Sequence, residues 1–365
     1  MPTLFDPITL GDIRASNRIL MAPLTRARAT RHHVPTAMMI DYYHLRASAG
    51  LIISEGTGIS QEGMGWPYAP GIWNQEQIAA WKPITQAVHD KGGKIICQLW
   101  HMGRLVHPSF YPSPISASAT TAPHYAYTYD GKKPYAQARA LPIKEIPRVL
   151  NDFAQAASNA IKAGFDGVQI HAANGYLIDE FLRNGTNLRQ DEYGGSIENR
   201  IRLLVEVTRA VCQTIGSGKT SVRLSPNEPA QGVFDTNPVP LFTAAARALA
   251  EEKIAFLEVR EPIKHTNYFA MKDVTDETLY PPISPAMRKA FSGAFVMNSA
   301  YNGKTAQEAV KRGDADAIAF GRPYISNPDL VEKIKAGIPF AKDDQKTWYT
   351  QGIEGYLDYP LMNEK

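Results

Sequence analysis

Short runs of apolar or β-branched residues alternate with longer amphipathic segments along almost the whole of this 365-residue sequence. The runs have the length of strands and cover residues 19–22, 51–54, 94–99, 168–170, 220–224, 256–259, 295–297 and 317–320. The segments with helical spacing cover residues 36–49, 75–89, 143–163, 198–214, 241–251, 284–291, 304–312 and 329–336. Regular alternation predicts parallel strands joined by helical crossovers. Eight such units in order favour an α/β fold of the closed (β/α)8 type, a TIM barrel, over an open doubly wound sheet.

The glycine pattern argues against the other common α/β architecture. Gly56-x-Gly58 and Gly63-x-Gly65 follow the second predicted strand, but neither completes the G-x-G-x-x-G motif of a Rossmann dinucleotide site. We find no domain boundary and expect a single domain over residues 1–365. An N-terminal extension precedes its first strand, an excursion over residues 104–142 follows the third strand, and residues 338–365 form a C-terminal tail. The excursion is rich in Pro, Ser, Thr and Tyr, and we expect it to be folded.

Composition argues against several other classes of protein. The net charge is only +3 and no block of Lys and Arg stands out, so a nucleic-acid partner has little support. No apolar run approaches the ~18 residues that span a membrane, and the N-terminus does not resemble a signal peptide. The two cysteines, Cys97 and Cys212, form no C-x-x-C pair, which argues against a disulfide scaffold, an iron–sulfur cluster or a metal centre. We therefore expect a cytoplasmic protein, either a monomer or a homodimer, without a metal.

Polar side chains at the ends of the predicted strands form the candidate site, because barrel enzymes carry their chemistry at the carboxyl ends of the strands. The fourth strand ends at His171, and Asn174 and Tyr176 follow it. Comparable positions at or after the other strands hold Pro23, Leu24, Thr25, Gly56, Gln98, Trp100, Arg223, Arg260, Asn298, Ser299, Ala300, Gly321 and Arg322. This set contains neither paired carboxylates nor a metal-ligand cluster.

The residues after the last two strands predict a phosphate site. Small residues follow the seventh strand at 298–300, and Gly321-Arg322 follows the eighth. At a phosphate site of this kind, backbone N–H groups bind the phosphate oxygens and an arginine adds positive charge. The amide, hydroxyl, imidazole and guanidinium groups at the other strand ends suit a planar heterocycle whose edge carries carbonyls and nitrogens. A phosphate joined to such a ring suggests FMN.

Several ordered stretches of the sequence resemble the Old Yellow Enzyme family of FMN-dependent ene-reductases. They are residues 17–26, residues 42–57, Gln98-Leu99-Trp100-His101-x-Gly103-Arg104, residues 171–200, Phe320-Gly321-Arg322 and Glu354-Gly355-Tyr356-x-Asp358-Tyr359-Pro360. The resemblance runs from about Leu4 to Pro360. Within the family, the sequence resembles the single-domain bacterial members, such as N-ethylmaleimide reductase and cyclohexenone reductase.

The resemblance implies an activity and a role for each site residue. Hydride would pass from NADH or NADPH, through tightly but non-covalently bound FMN, to the β-carbon of an α,β-unsaturated carbonyl or nitro compound. His171 and Asn174 would hydrogen-bond the substrate oxygen, and Tyr176 would protonate the α-carbon. The residues around the FMN ring would be Pro23, Leu24, Thr25, Gly56, Gln98, His171 and Arg223. The phosphate would be held by Asn298, Ser299, Ala300, Gly321 and Arg322, and the pocket walls would be Tyr68, Trp100 and Tyr356.

Some features depart from the pattern of relatives. Thr25 stands where the thermophilic-type branch usually carries cysteine, and its hydroxyl should tune the flavin redox potential through a hydrogen bond. The loop at 298–300 has no glycine, although many relatives are Gly-rich there. Asn174 replaces the second histidine of some relatives, so only His171 could add a pH-dependent charge at the substrate oxygen.

Other hypotheses and some regions stay open. An FMN barrel of the hydroxy-acid oxidase or dihydroorotate dehydrogenase type is the alternative enzyme, and a flavin-binding sensor module is the non-enzymatic one. Residues 264–282 are expected to line the approach of nicotinamide and substrate. Lys264 and Lys272 there give only a weak preference for a 2′-phosphate, so the choice between NADH and NADPH is open. Trp348 and Tyr349 are expected to pack the C-terminal tail.

Overall fold

The computed structural model describes residues 1–227, 230–261 and 281–362. Within these ranges eight parallel strands close into a ring, which confirms the (β/α)8 barrel. In chain order β1 to β8 are Ile19–Met21, Leu51–Ile53, Ile95–Trp100, Gly167–His171, Thr220–Leu224, Phe256–Arg260, Ala294–Asn298 and Ala317–Phe320. Each strand pairs with the next and β8 pairs with β1, so all carboxyl ends open on the same side.

A helix follows each barrel strand. In chain order α1 to α8 are Met38–His44, Gln75–Asp90, Ile146–Lys162, Arg202–Ile215, Pro238–Glu251, Ser284–Ala290, Gly303–Arg312 and Leu330–Ala336, and shorter helices cover Leu177–Leu182, Ile197–Arg200 and Pro323–Ser326. Asn74 and Asn302 start α2 and α7 with capping boxes, and Gly313 ends α7 in the left-handed region. No helix in the described part of the chain is long and apolar enough to cross a membrane.

Alternate residues of a strand face opposite sides of the barrel wall. In β3, Cys97 and Leu99 belong to the core between barrel and helices, whereas Ile96 belongs to a second core inside the barrel. Residues Ile8–Leu10 and Ile13–Ala15 form an antiparallel hairpin that packs against this inner core. The hairpin contributes Leu10, Ile13 and Ala15, and the barrel strands contribute Leu20, Leu51, Ile53, Phe256 and Val296. The backbone N–H of Asp12 in the hairpin bonds the carbonyl of Gly218, just before β5. The hairpin therefore covers the amino end of the barrel and leaves the carboxyl end for a site.

Two predicted helices differ most from their expected bounds in the structure. The helix predicted over 36–49 ends at His44, because the chain turns inward at Arg46. The buried guanidinium of Arg46 donates to the carbonyls of Tyr324 and Ile325, and so ties this turn to the segment after β8. The helix predicted over 198–214 is divided at Ile201 into a short helix and α4.

The excursion and the tail both have ordered contacts. Tyr125–Thr128 and Gly131–Pro134 form an antiparallel hairpin in the excursion, and Ile115–Ser116 pairs with Arg139–Ala140. The tail is held by Arg26 and Arg28, whose guanidinium groups donate to the carbonyls of residues 347, 348, 352, 354 and 355. Since both arginines follow β1, they bring the tail to the open end of the barrel.

Candidate active site

A cavity of about 530 Å³ lies at the carboxyl ends of the strands. Its volume is in the range of ~300–1,000 Å³ that is usual for small-molecule sites. All eight strands contribute, and the lining includes Pro23, Leu24, Thr25, Gly56, Gln98, Trp100, His171, Asn174, Tyr176, Arg223, Asn298, Ser299, Ala300, Gly321 and Arg322. The barrel thus brings together every residue that the sequence suggested for catalysis or for the cofactor.

Buried polar side chains cross the floor of the cavity, beginning at β3. The Nε2 amide of Gln98 donates to Oε1 of Gln169 over 2.9 Å, and Gln169 donates in turn to Glu258 over 2.7 Å. Glu258 forms an ion pair with Arg223 at 3.0 Å. Burial raises the pKa of the Glu258 carboxyl and lowers the pKa of Arg223, and the attraction between the two groups opposes both shifts. Each charged group is therefore the main factor that offsets the cost of burying the other.

The same chain of polar groups continues to β8. Arg223 donates to Oδ1 of Asn298 over 3.0 Å, and the Asn298 amide donates to the carbonyl of Ala319 over 2.6 Å. Gln98, Arg223 and Asn298 all border the cavity. Because each is bonded on its buried side, its orientation towards the cavity is fixed before a ligand binds.

The turn after β4 holds Asn174 at two points. Asn174 lies in the left-handed region with φ of 60°, and Gly175 follows with φ of 80°. A side chain at Gly175 would come within 2.7 Å of the Ala230 carbonyl, so this position needs glycine. The backbone N–H of Asn174 donates to Oγ of Ser225 over 2.8 Å, and its Oδ1 accepts from Nη1 of Arg260 over 3.0 Å. Both the backbone and the side chain of Asn174 are thus fixed.

Three aromatic side chains form a compact group beside this turn. The ring centroids of His171 and Tyr176 lie 4.9 Å apart, and those of Trp100 and Tyr176 lie 5.0 Å apart, in edge-to-face arrangements. A Cβ at Gly56 would come within 2.7 Å of the Trp100 ring. Glycine at this position, three residues after β2, is therefore required for Trp100 to occupy its place.

The protonation states of His171 and Tyr176 follow from their surroundings. Burial, reinforced by the positive charges of Arg223 and Arg260, holds the pKa of His171 well below its ordinary value. Burial also raises the pKa of the Tyr176 phenol. Both shifts favour a neutral imidazole and a protonated phenol at neutral pH, so a pH-dependent charge at His171 would arise only below the neutral range.

The imidazole of His171 also has an unused polar atom. Its Nδ1 is buried and has no hydrogen-bond partner among the described residues. An unsatisfied buried nitrogen costs free energy unless a ligand or water bonds to it. A molecule bound in the cavity could take up this bond next to a phenol that can supply a proton.

The loop after β7 has the geometry of an anion site. Ser299 and Ala300 have φ of 122° and 55°, which is rare for consecutive residues other than glycine. Such turns align backbone N–H groups towards an anion, and the strain of ~1–3 kcal/mol per residue is typical of ligand clamps. At Gly321 a Cβ would meet only the Leu24 side chain, at 3.6 Å, so the backbone there borders open space. Both features fit a phosphate group.

Arg322, predicted as a phosphate ligand, has a carboxylate partner in the structure. Its Nε and Nη2 donate to Asp343 over 3.2 and 3.1 Å, and its guanidinium lies 5.0 Å from the ring centroid of Trp348. The Trp348 indole donates to the same carboxylate over 2.7 Å. A bound phosphate would have to share Arg322 with Asp343 or replace it, and the phosphate role stays a prediction.

Two of the predicted pocket walls do not line the cavity. Tyr356 is completely buried, stacked on Tyr42 at 4.1 Å with the Arg28 guanidinium 4.6 Å from its ring centroid. Tyr68 packs against Tyr129 of the excursion at 5.1 Å. Both predictions are corrected: the first ring anchors the tail and the second contacts the excursion.

Other aromatic residues take those places. Trp66 and Tyr349 line the cavity, and their ring centroids lie 5.1 Å apart. Trp348 and Tyr349, expected only to pack the tail, border the site because Arg26 and Arg28 hold the tail at the barrel mouth. The local sequence does not distinguish Trp66 from Tyr68, since only the path of the folded chain decides which ring faces the cavity.

One polar residue of the site was named from its strand-end position but was given no role. Arg260 is the last residue of β6 and lines the cavity, so the strand-end rule pointed to it. Residues 264–280, with Lys264 and Lys272, lie outside the described residues.

The donor set and the shape of the cavity fit FMN. Fixed amide and guanidinium groups of Gln98 and Arg223 can bond the polar edge of a flavin ring. The strained loop at 299–300 and the open backbone at Gly321 can receive its phosphate. The orphaned Nδ1 of His171 lies at the same cavity and can bond a ring or substrate oxygen.

Comparison with known proteins agrees with this fit. The family model of NADH:flavin oxidoreductases and NADH oxidases matches residues 3–341. The solved structure of the old yellow enzyme homologue from Zymomonas mobilis is 57% identical with a TM-score of 0.94, covering 99% of this chain and 100% of that one. Morphinone reductase, solved in complex with tetrahydroNAD, is 40% identical with a TM-score of 0.92 and covers 100% of this chain and 98% of its own. The 12-oxophytodienoate reductase 7 of Oryza sativa subsp. japonica is 40% identical over 99% of this chain and 95% of its own. The chain therefore belongs to the Old Yellow Enzyme family of NADH:flavin oxidoreductases, enzymes that bind FMN and take their electrons from a reduced nicotinamide.

Proposed function

We propose that the protein reduces the activated double bond of α,β-unsaturated carbonyl and nitro compounds. FMN, when bound, supplies the β-carbon with the hydride that originates from NADH or NADPH. The observation that carries this proposal is the grouping of His171, Asn174 and Tyr176 at one cavity. Together they offer two neutral hydrogen-bonding side chains and one protonated phenol.

In this proposal His171 and Asn174 hold the carbonyl or nitro oxygen of the substrate. Negative charge develops on that oxygen as hydride reaches the β-carbon. Hydrogen bonds that strengthen with this charge stabilise the transition state more than the bound substrate. Loss of one such donor typically costs about 3 kcal/mol, or roughly a hundredfold in rate.

Tyr176 is the proposed proton donor to the α-carbon. Burial raises the pKa of its phenol, so the proton is present through the neutral range. A raised pKa makes the phenol a weak acid, but the carbanion-like α-carbon of the reduced substrate is a strong acceptor. Contact with the Trp100 and His171 rings fixes the direction from which the proton arrives.

The same protonation states argue against the hydroxy-acid oxidase or dihydroorotate dehydrogenase alternative. Those reactions need a base that removes a proton from a substrate carbon. Tyr176 keeps its proton, the carboxamide of Asn174 is a poor base, and the lowered pKa of His171 makes its neutral imidazole a weak one. We also propose a cytoplasmic location, since Cys97 and Cys212 are unpaired thiols as a reducing compartment requires.

Separate measurement of the two half-reactions tests the proposal. The FMN-loaded protein is reduced anaerobically with NADH or NADPH and then mixed with 2-cyclohexenone, while the flavin absorbance is followed. We expect Tyr176→Phe to slow reoxidation by the alkene at least tenfold and to leave flavin reduction within about twofold. His171→Ala should weaken the binding of phenolic ligands. Flavin reduction by lactate or dihydroorotate, without reoxidation by cyclohexenone, would support the alternative instead.

A further inference from the structure

We infer that Arg260 is a positioning residue: its guanidinium fixes the Asn174 carboxamide so that the amide NH2 is left for the substrate. The inference rests on the proposed function, in which Asn174 donates to the substrate oxygen. It concerns the last residue of β6, which lines the cavity but needs no direct contact with the reacting atoms.

The chemistry of the two groups determines which end of the amide faces the substrate. A carboxamide has an oxygen that only accepts and a nitrogen that donates, and the two ends have nearly the same shape. A guanidinium has five N–H donors and no acceptor. Nη1 of Arg260 lies 3.0 Å from Oδ1 of Asn174, and the flipped amide would place two donors against each other. The oxygen of Asn174 must therefore face Arg260.

The opposite orientation would be harmful to the proposed reaction. With Oδ1 towards the substrate, a lone pair would face the oxygen on which negative charge develops. The backbone bond from Asn174 to Ser225 holds the turn but leaves the side-chain amide free to rotate about its last bond. Arg260 can only donate, so it bonds the oxygen end of the Asn174 amide and fixes which end faces the substrate. A second histidine at this position would instead need the correct tautomer to be a donor.

The positive charge of Arg260 also favours hydrogen-bond donation by the Asn174 amide to the substrate. A positive group bonded to Oδ1 polarises the amide and makes its N–H groups better donors. The same charge adds to the fall that burial and Arg223 produce in the pKa of His171, and it opposes the rise that burial, Tyr135 and Tyr349 produce in the pKa of Tyr176. Arg260 therefore supports negative charge at the place where the substrate oxygen would lie.

A double-mutant cycle on the FMN-loaded protein tests this role, with the alkene half-reaction and the flavin-reduction half-reaction measured separately. We expect Arg260→Met to slow reoxidation by 2-cyclohexenone about tenfold, the effect of a lost charge-assisted hydrogen bond, with flavin reduction within about twofold. Arg260→Lys keeps a charged donor and should recover most of the rate. In an Asn174→Ala background, Arg260→Met should have less than about a twofold effect, because there is no amide left to orient.

The control is Arg288→Met, which removes another half-buried arginine that is paired with Asp316 at 2.8 Å, outside the cavity lining. It should leave both half-reactions unchanged. If Asn174→Ala alone has no effect, the proposed role of Asn174 is wrong and Arg260 has nothing to position. If Asn174→Ala slows the alkene step but Arg260→Met does not, or if the two effects multiply fully, the inference about Arg260 is overturned.

Should the methionine variant fail to retain FMN, Arg260→Lys is compared with Arg260→Gln. The glutamine side chain can present either a donor or an acceptor and therefore does not fix the amide. We expect the glutamine enzyme to be the slower of the two in the alkene half-reaction only. Equal rates would overturn the inference.

Discussion

His171 shows how neighbouring groups set the protonation state of one side chain that is proposed to act in catalysis. The residue is buried, and Arg223 and Arg260 add positive charge on two sides of it. All three influences disfavour an imidazolium. The hydrogen bond that His171 is proposed to give the substrate thus comes from a neutral ring, and the positive charge of the site is carried by the two arginines.

A flat pH profile of the alkene half-reaction is the first prediction. A group with a lowered pKa, such as His171, loses its proton below the neutral range, and Tyr176 with its raised pKa keeps its proton above it. Neither group changes protonation between about pH 6 and pH 9. The rate of flavin reoxidation by 2-cyclohexenone should therefore vary less than about twofold over this range. A step that fits one ionisation near the ordinary histidine pKa would contradict this assignment.

At the residue scale, side chains at or shortly after strand ends could be predicted from the sequence, and side chains on the more distant loops could not. Gln98, His171 and Arg223 lie within regular strands, so strand position fixes both their depth and their side of the barrel wall. Tyr68, Trp66 and Tyr349 lie on irregular segments, where no periodicity relates sequence to direction. Apart from Trp100, the aromatic residues that line the cavity could therefore not be chosen from the sequence.

At the element scale, the loop after β7 combines strain with a geometry that fits a phosphate group. Its sequence lacks the glycine of many relatives, but Ser299 and Ala300 adopt positive φ angles all the same. An L residue in this region costs about 1–2 kcal/mol, so the loop is held by its surroundings. The strand before it and the helix after it could be predicted from hydrophobic patterning, whereas this backbone conformation could not.

Substitution of Ala300 by glycine tests the strain, and Ala79→Gly on the exposed face of α2 is the matched control. Ala300 has φ of 55°, so glycine should relieve strain and offset its own entropic cost. We expect the melting temperature of Ala300→Gly to be unchanged or higher. The same exchange in the helix costs about 1 kcal/mol and should lower the melting temperature by about 2 °C. An equal loss in both variants would show that Ala300 is not strained.

At the scale of the whole molecule, the barrel and the site share one polar network. Gln98, Gln169, Glu258, Arg223 and Asn298 connect strands that are far apart in sequence, and three of them border the cavity. The fold class could be predicted because eight hydrophobic repeats are enough to specify a closed ring. This network could not, because it depends on which inward side chains face one another across the barrel.

Neutralisation of Glu258 should therefore destabilise the entire protein. Glu258→Gln leaves the Arg223 charge buried without a counter-ion, a loss of about 3–5 kcal/mol, and should lower the melting temperature by about 5–10 °C. The control is Glu252→Gln. In the wild type the Glu252 carboxylate pairs with the exposed Arg209 at 2.7 Å. Such a surface pair contributes about 0–1 kcal/mol, so the control should melt within about 2 °C of wild type. Similar losses in the two variants would mean that the buried pair does not support the fold.

The position of isotope labels in the product tests the central claim most directly. The FMN-loaded enzyme is supplied with 2-methylcyclohexenone and nicotinamide that is deuterated at its transferable position, and the saturated product is examined by NMR. We predict that deuterium from the nicotinamide appears on the β-carbon, and that deuterium from D2O appears on the α-carbon when unlabelled nicotinamide is used. Deuterium at the carbonyl carbon, with the double bond intact, would contradict the account.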